Sequence, residues 1–174
     1  MRHLLAAALF SLLACSPPMR TITPDDVVAR GDCPALTGMG TAHNATVTAD
    51  ETWTAAASPH VVSSLRVEAT LTLEPCAVVV FKKGAELAVG NSSSTGKAGK
   101  VVANGTFDGT KLLPVVFRAE TAGDRWASFF VNVTGSLDFS YTAISSGGSK
   151  DASSTNAAIE ARGTQAKPLQ KKLR

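Results

Sequence analysis

Residues 65–81 read LRVEATLTLEPCAVVVF, and the alternation of side chains in this stretch is the strongest structural signal in the chain. From Leu65 to Leu73 every second residue is apolar and every residue between is polar. A period of two places successive side chains on opposite faces of a β-strand. The stretch therefore predicts extended structure with one buried and one solvated face, interrupted by a corner at Pro75 and Cys76.

The same alternation returns several times downstream. It is seen at Leu87 and Val89, at Val115, Phe117 and Ala119, at Val131 and Val133, and at Leu137, Phe139, Tyr141 and Ala143. The intervening segments are rich in Gly, Asn, Ser, Asp and Pro, which favour corners. No stretch in this region carries a helical stripe of three turns, so a parallel sheet crossed by helices is excluded and an all-β fold is predicted.

Two all-β architectures fit this pattern equally well. An antiparallel sandwich requires hairpin turns, which Asn104–Gly105 and Asp108–Gly109 would supply. A solenoid requires short strands that recur about every 20 residues and stack their inward side chains rung on rung. Composition alone does not choose between them.

The order of the motifs along the chain adds a resemblance. The pieces are LRVEATLTLEPCAVVVF, ELAVG, GKVVANGTFDGTKLLPVVFRAE, GDRWASFFV and GSLDFSYTAISSGG. In this order they resemble the bacterial right-handed parallel β-helix proteins related to the pectin-lyase fold. Three positions depart from that family's corners: Cys76 replaces a glycine, Arg125 separates Asp124 from Trp126, and Ala127–Ser128 replace a glycine pair.

The resemblance implies a short right-handed parallel β-helix of about four coils over residues 61–149. Residues 33–60 would form a lead-in or cap, and residues 150–174 an irregular tail or an incomplete coil. Cys76 would be a corner residue turned toward the lead-in, where Cys33 would lock that segment over the first coil. Relatives usually carry more coils, so the chain is expected to be a shortened member.

The first fifteen residues predict that the protein is exported. MRHLLAAALFSLLAC combines a cationic start, an apolar stretch and small residues, which is typical of a secretory signal over residues 1–14. Its ending resembles the bacterial lipoprotein signal, which would make Cys15 the lipidated residue and, with Ser16 following, favour the outer membrane or cell surface. An ordinary signal peptide cleaved nearby is the alternative. Residues 15–32 are predicted to be a tether containing a short helix from Pro24 to about Arg30.

Cysteine count agrees with an exported protein. If Cys15 is lipidated, Cys33 and Cys76 remain as an even pair in a compartment that permits disulfides. Either they form a disulfide or they are two buried thiols. No Cys or His spacing suggests zinc, and neither a metal nor a cofactor is expected.

Composition excludes some functions. The net charge of +3 is small, and the basic residues are scattered apart from the terminal KKLR, which argues against nucleic-acid binding. GNSSSTGKAGK, residues 90–100, has the wrong spacing for a phosphate-binding loop and is interpreted as a corner. His43 and His60 have no partner at ligand spacing in the sequence.

The function expected from these features is a membrane-anchored extracytoplasmic protein that binds or scaffolds at the cell envelope, with glycans or envelope proteins as partners. The alternatives are a polysaccharide-active lyase or hydrolase, as found on this fold, and a non-functional truncated fragment. Asp108, Asp124 and Asp138 are the candidate catalytic carboxylates, with Arg118 and Arg125 as basic partners. Clustered carboxylates would favour an enzyme, whereas an exposed row of aromatic, Asn or Thr side chains would favour binding.

Overall fold

The computed structural model describes residues 21, 23–148 and 157–161, without the side chains of Pro24 and Val28 in α1. The described chain is nearly all β. Its helices are α1 (Pro24–Val28) and a one-turn 3-10 helix (Ala55–Ala57). Its strands are β1 (Thr41–His43), β2 (Glu51–Trp53), β3 (His60–Val62), β4 (Leu65–Val67), β5 (Thr70–Leu73), β6 (Val78–Phe81), β7 (Leu87–Val89), β8 (Gly99–Asn104), β9 (Thr106–Phe107), β10 (Leu112–Leu113), β11 (Val115–Ala119), β12 (Phe129–Val131), β13 (Gly135–Ser140), β14 (Thr142–Ile144) and β15 (Ile159–Ala161).

Three parallel sheets account for thirteen of these strands. Sheet A has the order β1-β3-β6-β11-β14, sheet B the order β4-β7-β12-β15, and sheet C the order β2-β5-β8-β13. The chain visits sheets A, B and C in that order and then returns to sheet A, and we call each such passage a circuit. Among the described strands only β9 and β10 pair antiparallel, as a small hairpin. The antiparallel sandwich, one of the two architectures that the sequence left open, is therefore not the fold.

Parallel register stacks the inward side chains of successive circuits into columns. In sheet A, Val62 lies beside Phe81, which lies beside Ala119. In sheet B, Leu65, Leu87 and Phe129 form the equivalent column, and all of these side chains are buried. The columns of the three sheets meet in one hydrophobic core, so each circuit covers the apolar surface of its neighbours.

Parallel pairing already begins within residues 33–60. Strand β1 pairs with β3, Val47 forms an isolated parallel bridge with Val67, and β2 pairs with β5. The side chains of Val47 and Trp53, which take part in these pairings, are both buried. At the other end, β15 pairs with β12 and lies inside the segment expected to be a tail or an incomplete coil.

The alternation of residues 65–73 spans a corner. Strands β4 and β5 lie in sheets B and C, separated by bends at Glu68 and Ala69. Leu65 and Leu73 both remain buried, so the period of two persists across the change of sheet. The sequence located the buried face correctly but did not reveal the corner.

The expected alternation fails at Tyr141 and Ala143. Tyr141 adopts a left-handed backbone conformation, with φ of 43°, and its side chain is 45% exposed. This corner shifts the phase of the chain by one residue. Ile144 therefore faces Phe117 in the core, while Ala143 joins an apolar cluster on the outer side of sheet A.

The outer side of sheet A is apolar and is packed against residues 23–40, which we call the amino-terminal segment. Val78, Val80 and Val116 are buried there against Val27 and Leu36. Helix α1 forms where predicted, with Thr23 and Asp26 in a reciprocal capping box, and it contacts β10, β11 and β14. The stretch predicted to be a tether, residues 15–32, therefore contributes Val27 and the rest of α1 to the cover of sheet A.

A disulfide joins Cys33 to Cys76, with 5.5 Å between the two Cα atoms. Cys76 has φ of 72°, the left-handed conformation that a glycine would adopt at this corner after Pro75. The predicted pairing and the predicted corner are both confirmed. The disulfide fastens the amino-terminal segment to the turn that leads from sheet C into sheet A.

Candidate functional site

The outer side of sheet C is lined by small polar side chains and is the most extended polar strand surface in the described chain. We call it the polar face, and its members are Thr52, Thr70, Thr72, Lys100, Val102, Asn104, Ser136, Asp138 and Ser140. All nine side chains are exposed or partly exposed. They alternate with the inward residues of β2, β5, β8 and β13, so the period of two that builds the core also builds this surface.

Parallel register arranges the polar face in ladders. One ladder runs from Thr52 through Thr72 and Val102 to Asp138, and a second runs from Thr70 through Lys100 to Ser136. Neighbouring parallel strands lie about 4.8 Å apart, so the side chains of a ladder recur at that interval. Apart from Val102, the face is therefore an array of regularly spaced hydrogen-bonding side chains.

Contacts within the array hold its charges and amides in place. The Lys100 ammonium on β8 lies 3.3 Å from a carboxylate oxygen of Asp138 on the neighbouring strand β13, so these two opposite charges form an ion pair. The Ser140 hydroxyl donates to the Asn104 side-chain oxygen at 2.9 Å. The result is a surface on which these opposite charges offset each other and most groups are hydroxyls and amides.

The other two sheets present different outer surfaces. The outer side of sheet A is apolar and is packed against the amino-terminal segment. Sheet B has an open groove, and the residues that line it include Ser64, Leu65, Arg66, Glu86 and Ala88. Neither surface has the length or the regularity of the polar face.

The candidate catalytic carboxylates lie on three different parts of the molecule. Asp108 belongs to the β9–β10 hairpin, Asp124 to the corner between β11 and β12, and Asp138 to the polar face. Asp108 accepts hydrogen bonds from the backbone of Thr110 and Lys111, at 2.9 and 2.8 Å, and these bonds lower its pKa to about 2. Its role in the structure is to close the hairpin.

The two basic candidates are separated in the same way. Arg118 lies on β11 and donates to the Ala119 carbonyl, whereas Arg125 lies in the corner before β12 and donates to the Gly148 carbonyl. Sheet register thus brings Lys100 to Asp138 but does not gather the predicted carboxylates and arginines in one cleft.

We compared the chain with known protein families, with characterised proteins and with solved structures. None of the three comparisons gives a match. The site must therefore be interpreted from its own geometry.

Sequence reasoning missed a cluster at the amino-terminal end of the core. His43 and His60, which were expected to lack partners, lie with Nε2 of His43 3.0 Å from Nδ1 of His60. Both rings stack near Trp53, and Nδ1 of His43 lies 3.9 Å from a carboxylate oxygen of Glu51. The available signal was the separation of the two histidines, which is close to the length of one circuit.

Several remaining expectations concern metals, membranes and the chain ends. In residues 21, 23–148 and 157–161, no group of three or more His, Cys, Asp or Glu side chains is arranged to hold a metal ion. None of the helical segments in that part of the chain has the length and hydropathy of a membrane span.

Cys15 and the predicted signal of residues 1–14 lie outside the described residues. Residues 90–98 connect β7 to β8, and Gly99 and Lys100 are the first two residues of β8.

Proposed function

We propose that this chain is a right-handed parallel β-helix of about four coils that binds glycans at the cell envelope through its polar face. The repeated order of sheets A, B and C and the parallel ladders support the helical arrangement. Right-handedness is supported by the strong general preference of parallel crossover connections for that hand. A crystal structure with opposite-handed coils would contradict this part of the proposal.

The observation that carries the binding role is the pair of threonine-bearing ladders on sheet C, with the Asn104 and Ser140 pair beside them. Hydroxyl groups both donate and accept hydrogen bonds, as the hydroxyls of a sugar do. Threonine side chains are stiff, so presenting them costs little conformational entropy on binding. A rigid, regular row of such groups suits a linear polyhydroxylated polymer that lies along the axis of the stack.

The charge of the face favours neutral over acidic glycans. Lys100 is paired with Asp138, and no other basic residue belongs to the polar face. Acidic polysaccharides are recognised through clusters of Arg and Lys, which this surface does not present. A neutral or N-acetylated glycan chain is therefore the proposed ligand class.

Binding can be tested with the purified full chain and two probes, a soluble neutral glucan and insoluble peptidoglycan sacculi. We expect saturable binding to at least one probe, with little dependence on salt because few charges take part. Thr72→Arg places a long charged side chain in the middle of the first ladder and is expected to weaken binding at least tenfold. Thr121→Arg adds the same side chain to an exposed residue after β11 and is the matched control.

Three outcomes would contradict the proposed ligand. These are an equal loss of binding in both variants, binding only to polyanionic polysaccharides, and binding only to envelope proteins with no affinity for either glycan. The circular dichroism spectrum of each variant must match that of the parent chain, because a misfolded variant would lose binding for an unrelated reason.

We further propose that the protein is exported and held at a bacterial outer membrane or cell surface by a lipid on Cys15. The amino-terminal sequence pattern supports this location, and the Cys33–Cys76 disulfide is consistent with an oxidising compartment. Radiolabelled palmitate should enter the parent chain but not the Cys15→Ser variant. Absence of label from the parent would remove the anchor.

A polysaccharide lyase or hydrolase is not proposed. Most glycoside hydrolases use two carboxyl groups flanking one scissile bond, and a lyase requires a base beside the proton that it removes and a group that stabilises the resulting charge. Asp108, Asp124 and Asp138 lie in a hairpin, a corner and the polar face, and Asp108 is engaged in closing its own turn.

A further inference from the structure

Hydrogen bonds fix the protonation of the two histidines in the core. Nε2 of His60 lies 2.9 Å from the carbonyl oxygen of Thr54, and a carbonyl oxygen can only accept. Nε2 of His60 therefore carries a proton, and in the neutral ring Nδ1 is left with a lone pair. That lone pair accepts the Nε2–H of His43 at 3.0 Å. In the neutral pair, Nδ1 of His43 is thus the unprotonated nitrogen.

This arrangement has room for one additional proton. Nδ1 of His43 lies 3.9 Å from Oε1 of Glu51, a carboxylate oxygen that also accepts from Nε1 of Trp53 at 2.7 Å. A proton on this nitrogen places the positive charge 3.9 Å from the carboxylate and leaves the bond between the two histidines intact. Singly protonated, the pair keeps every contact that it makes when neutral.

A second proton has no such place. It would have to bind Nδ1 of His60, toward which the Nε2–H of His43 already points. Two N–H groups and two positive charges would then face each other across about 3 Å in a weakly solvated site, where like charges repel strongly. The two rings cannot both be charged and remain in contact.

Few other charges act on the pair. Of the titratable groups that the structure describes, Glu51 on β2 faces it, whereas the nearby Glu74 accepts the backbone N–H of Ala55. Burial lowers the pKa of both His43 and His60, and for His43 the neighbouring His60 lowers the pKa further while Glu51 raises it. The two rings therefore resist acid more than exposed histidines do, and they release their contact only at lower pH.

We propose that the His43–His60 pair is a proton-operated latch that holds the first circuit, residues 41–53, onto the second. Uptake of the second proton releases β1 from β3. His43 is the ring that leaves, because His60 is 2% exposed and bound to Thr54, whereas the side chain of His43 is 15% exposed on a three-residue terminal strand. Release uncovers Trp53 and the β3 edge of sheet A.

The test follows histidine titration and local opening in the full chain. The sequence has three histidines, so imidazole 15N spectra from pH 8 to pH 4.5 contain three sets of signals. We expect His43 and His60 to titrate in two coupled steps. Backbone amides of residues 41–53 should lose at least tenfold in hydrogen-exchange protection through the lower step, after correction for intrinsic rates, while β6 to β8 keep theirs.

Tryptophan emission gives a second readout. The chain has two tryptophans, Trp53 and Trp126, and both are buried. In a Trp126→Phe background, emission should shift to longer wavelength with the lower step as Trp53 meets water. A shift that follows neither histidine step would contradict the latch.

Variants separate the latch from general acid unfolding. His43→Gln should abolish the local step, whereas Glu120→Gln, at an exposed residue after β11, is the control and should leave it unchanged. Glu51→Gln retains an oxygen for Trp53 but removes the negative charge, so it should move the first titration step to lower pH.

The latch is wrong if residues 41–53 stay protected after both rings are charged, if the whole chain loses protection together, or if His43→Gln opens at the same pH. If His43→Gln fails to fold, Glu51→Gln provides the test instead. A first histidine titration step at the same pH as in the parent chain would then contradict the latch.

Discussion

Cys76 combines two structural roles in one residue. It takes the left-handed backbone conformation at the corner after Pro75, and its sulfur is bonded to Cys33. A glycine would adopt this conformation with less strain, but it would not fasten the amino-terminal segment. The disulfide closes a loop with a sequence separation of 43 residues, which limits the freedom of the unfolded chain.

Removing the disulfide should destabilise the protein measurably. We expect Cys33→Ser, made in a Cys15→Ser background, to lower the free energy of unfolding by about 2–4 kcal/mol relative to that background. Urea unfolding followed by circular dichroism measures the difference. The Cys15→Ser single variant should match the parent, and equal stability of all three chains would show that the disulfide contributes nothing.

Asp108 shows how one exposed carboxylate organises a turn. Backbone N–H groups of Lys111 and Thr110 and the Thr110 hydroxyl all donate to one of its oxygens. These bonds favour the charged form and hold the pKa at about 2, below the ordinary value of 3.8. The resulting stabilisation of the turn is complete above pH 3.8 and is lost as the pH falls through about 2.

The carboxyl signal of Asp108 should therefore titrate near pH 2 in an NMR experiment. Asp108→Ala should raise the exchange rates of the Thr110 and Lys111 amides at neutral pH, because their acceptor is gone. Asp138→Ala, which removes a carboxylate on the polar face, serves as the control and should leave these two amides unchanged. An Asp108 titration near pH 4 would contradict the turn geometry.

At the scale of elements, the amino-terminal segment behaves as a cover for sheet A. Val27 and Leu36 pack on the outer cluster of that sheet, and Asp32 exchanges two hydrogen bonds with Leu112 in the hairpin. Helix α1 has five residues, which is too short to be stable alone. Its stability comes from the apolar surface beneath it and from the nearby disulfide.

A charge placed under the cover should loosen it. We expect Leu36→Asp to lower the free energy of unfolding by about 1–3 kcal/mol, because a carboxylate would have to leave water to keep the packing. Faster proteolysis within residues 23–40 and increased binding of a hydrophobic dye are the local readouts. Met39→Asp is the matched control, since that side chain is 97% exposed and should tolerate the change. Identical proteolysis of the two variants would argue against a packed cover.

At the scale of the whole molecule, stability depends on contacts between successive circuits. Each sheet pairs a strand with its neighbours before and after, so inner circuits have two covering partners and terminal circuits have one. The first circuit is held to sheet B by a single bridge at Val47 and to sheets A and C by three-residue strands. Stability should therefore decrease toward the first circuit.

Hydrogen exchange should show this gradient directly. At pH 7.5 we expect amides of β6 and β8 to exchange with free energies near that of global unfolding, and amides of β1 and β2 to exchange at least tenfold faster. Mass spectrometry of peptic fragments resolves the two regions. Uniform protection from β1 to β13 would instead indicate a single cooperative unit.

The sequence by itself determined the all-β class, the buried face of most strands and the helix beginning at Pro24, and it marked Cys33 and Cys76 as able to pair. Each follows from local physics: a period of two, an N-cap with proline in the first turn, and two cysteines that remain if Cys15 is set aside. The inward set from Leu65 to Leu73 was predictable because alternation persists even where the chain turns from β4 into β5.

Only the tertiary structure decided which surfaces meet. Residues 78–81, VVVF, are buried on both sides because the amino-terminal segment covers sheet A, and a uniformly apolar run carries no period that would reveal this. The contact of His43 with His60 depends on parallel register between circuits, which no local pattern encodes. The polar face arises in the same way, since a threonine in one strand becomes part of a ladder only when the next circuits stack beside it.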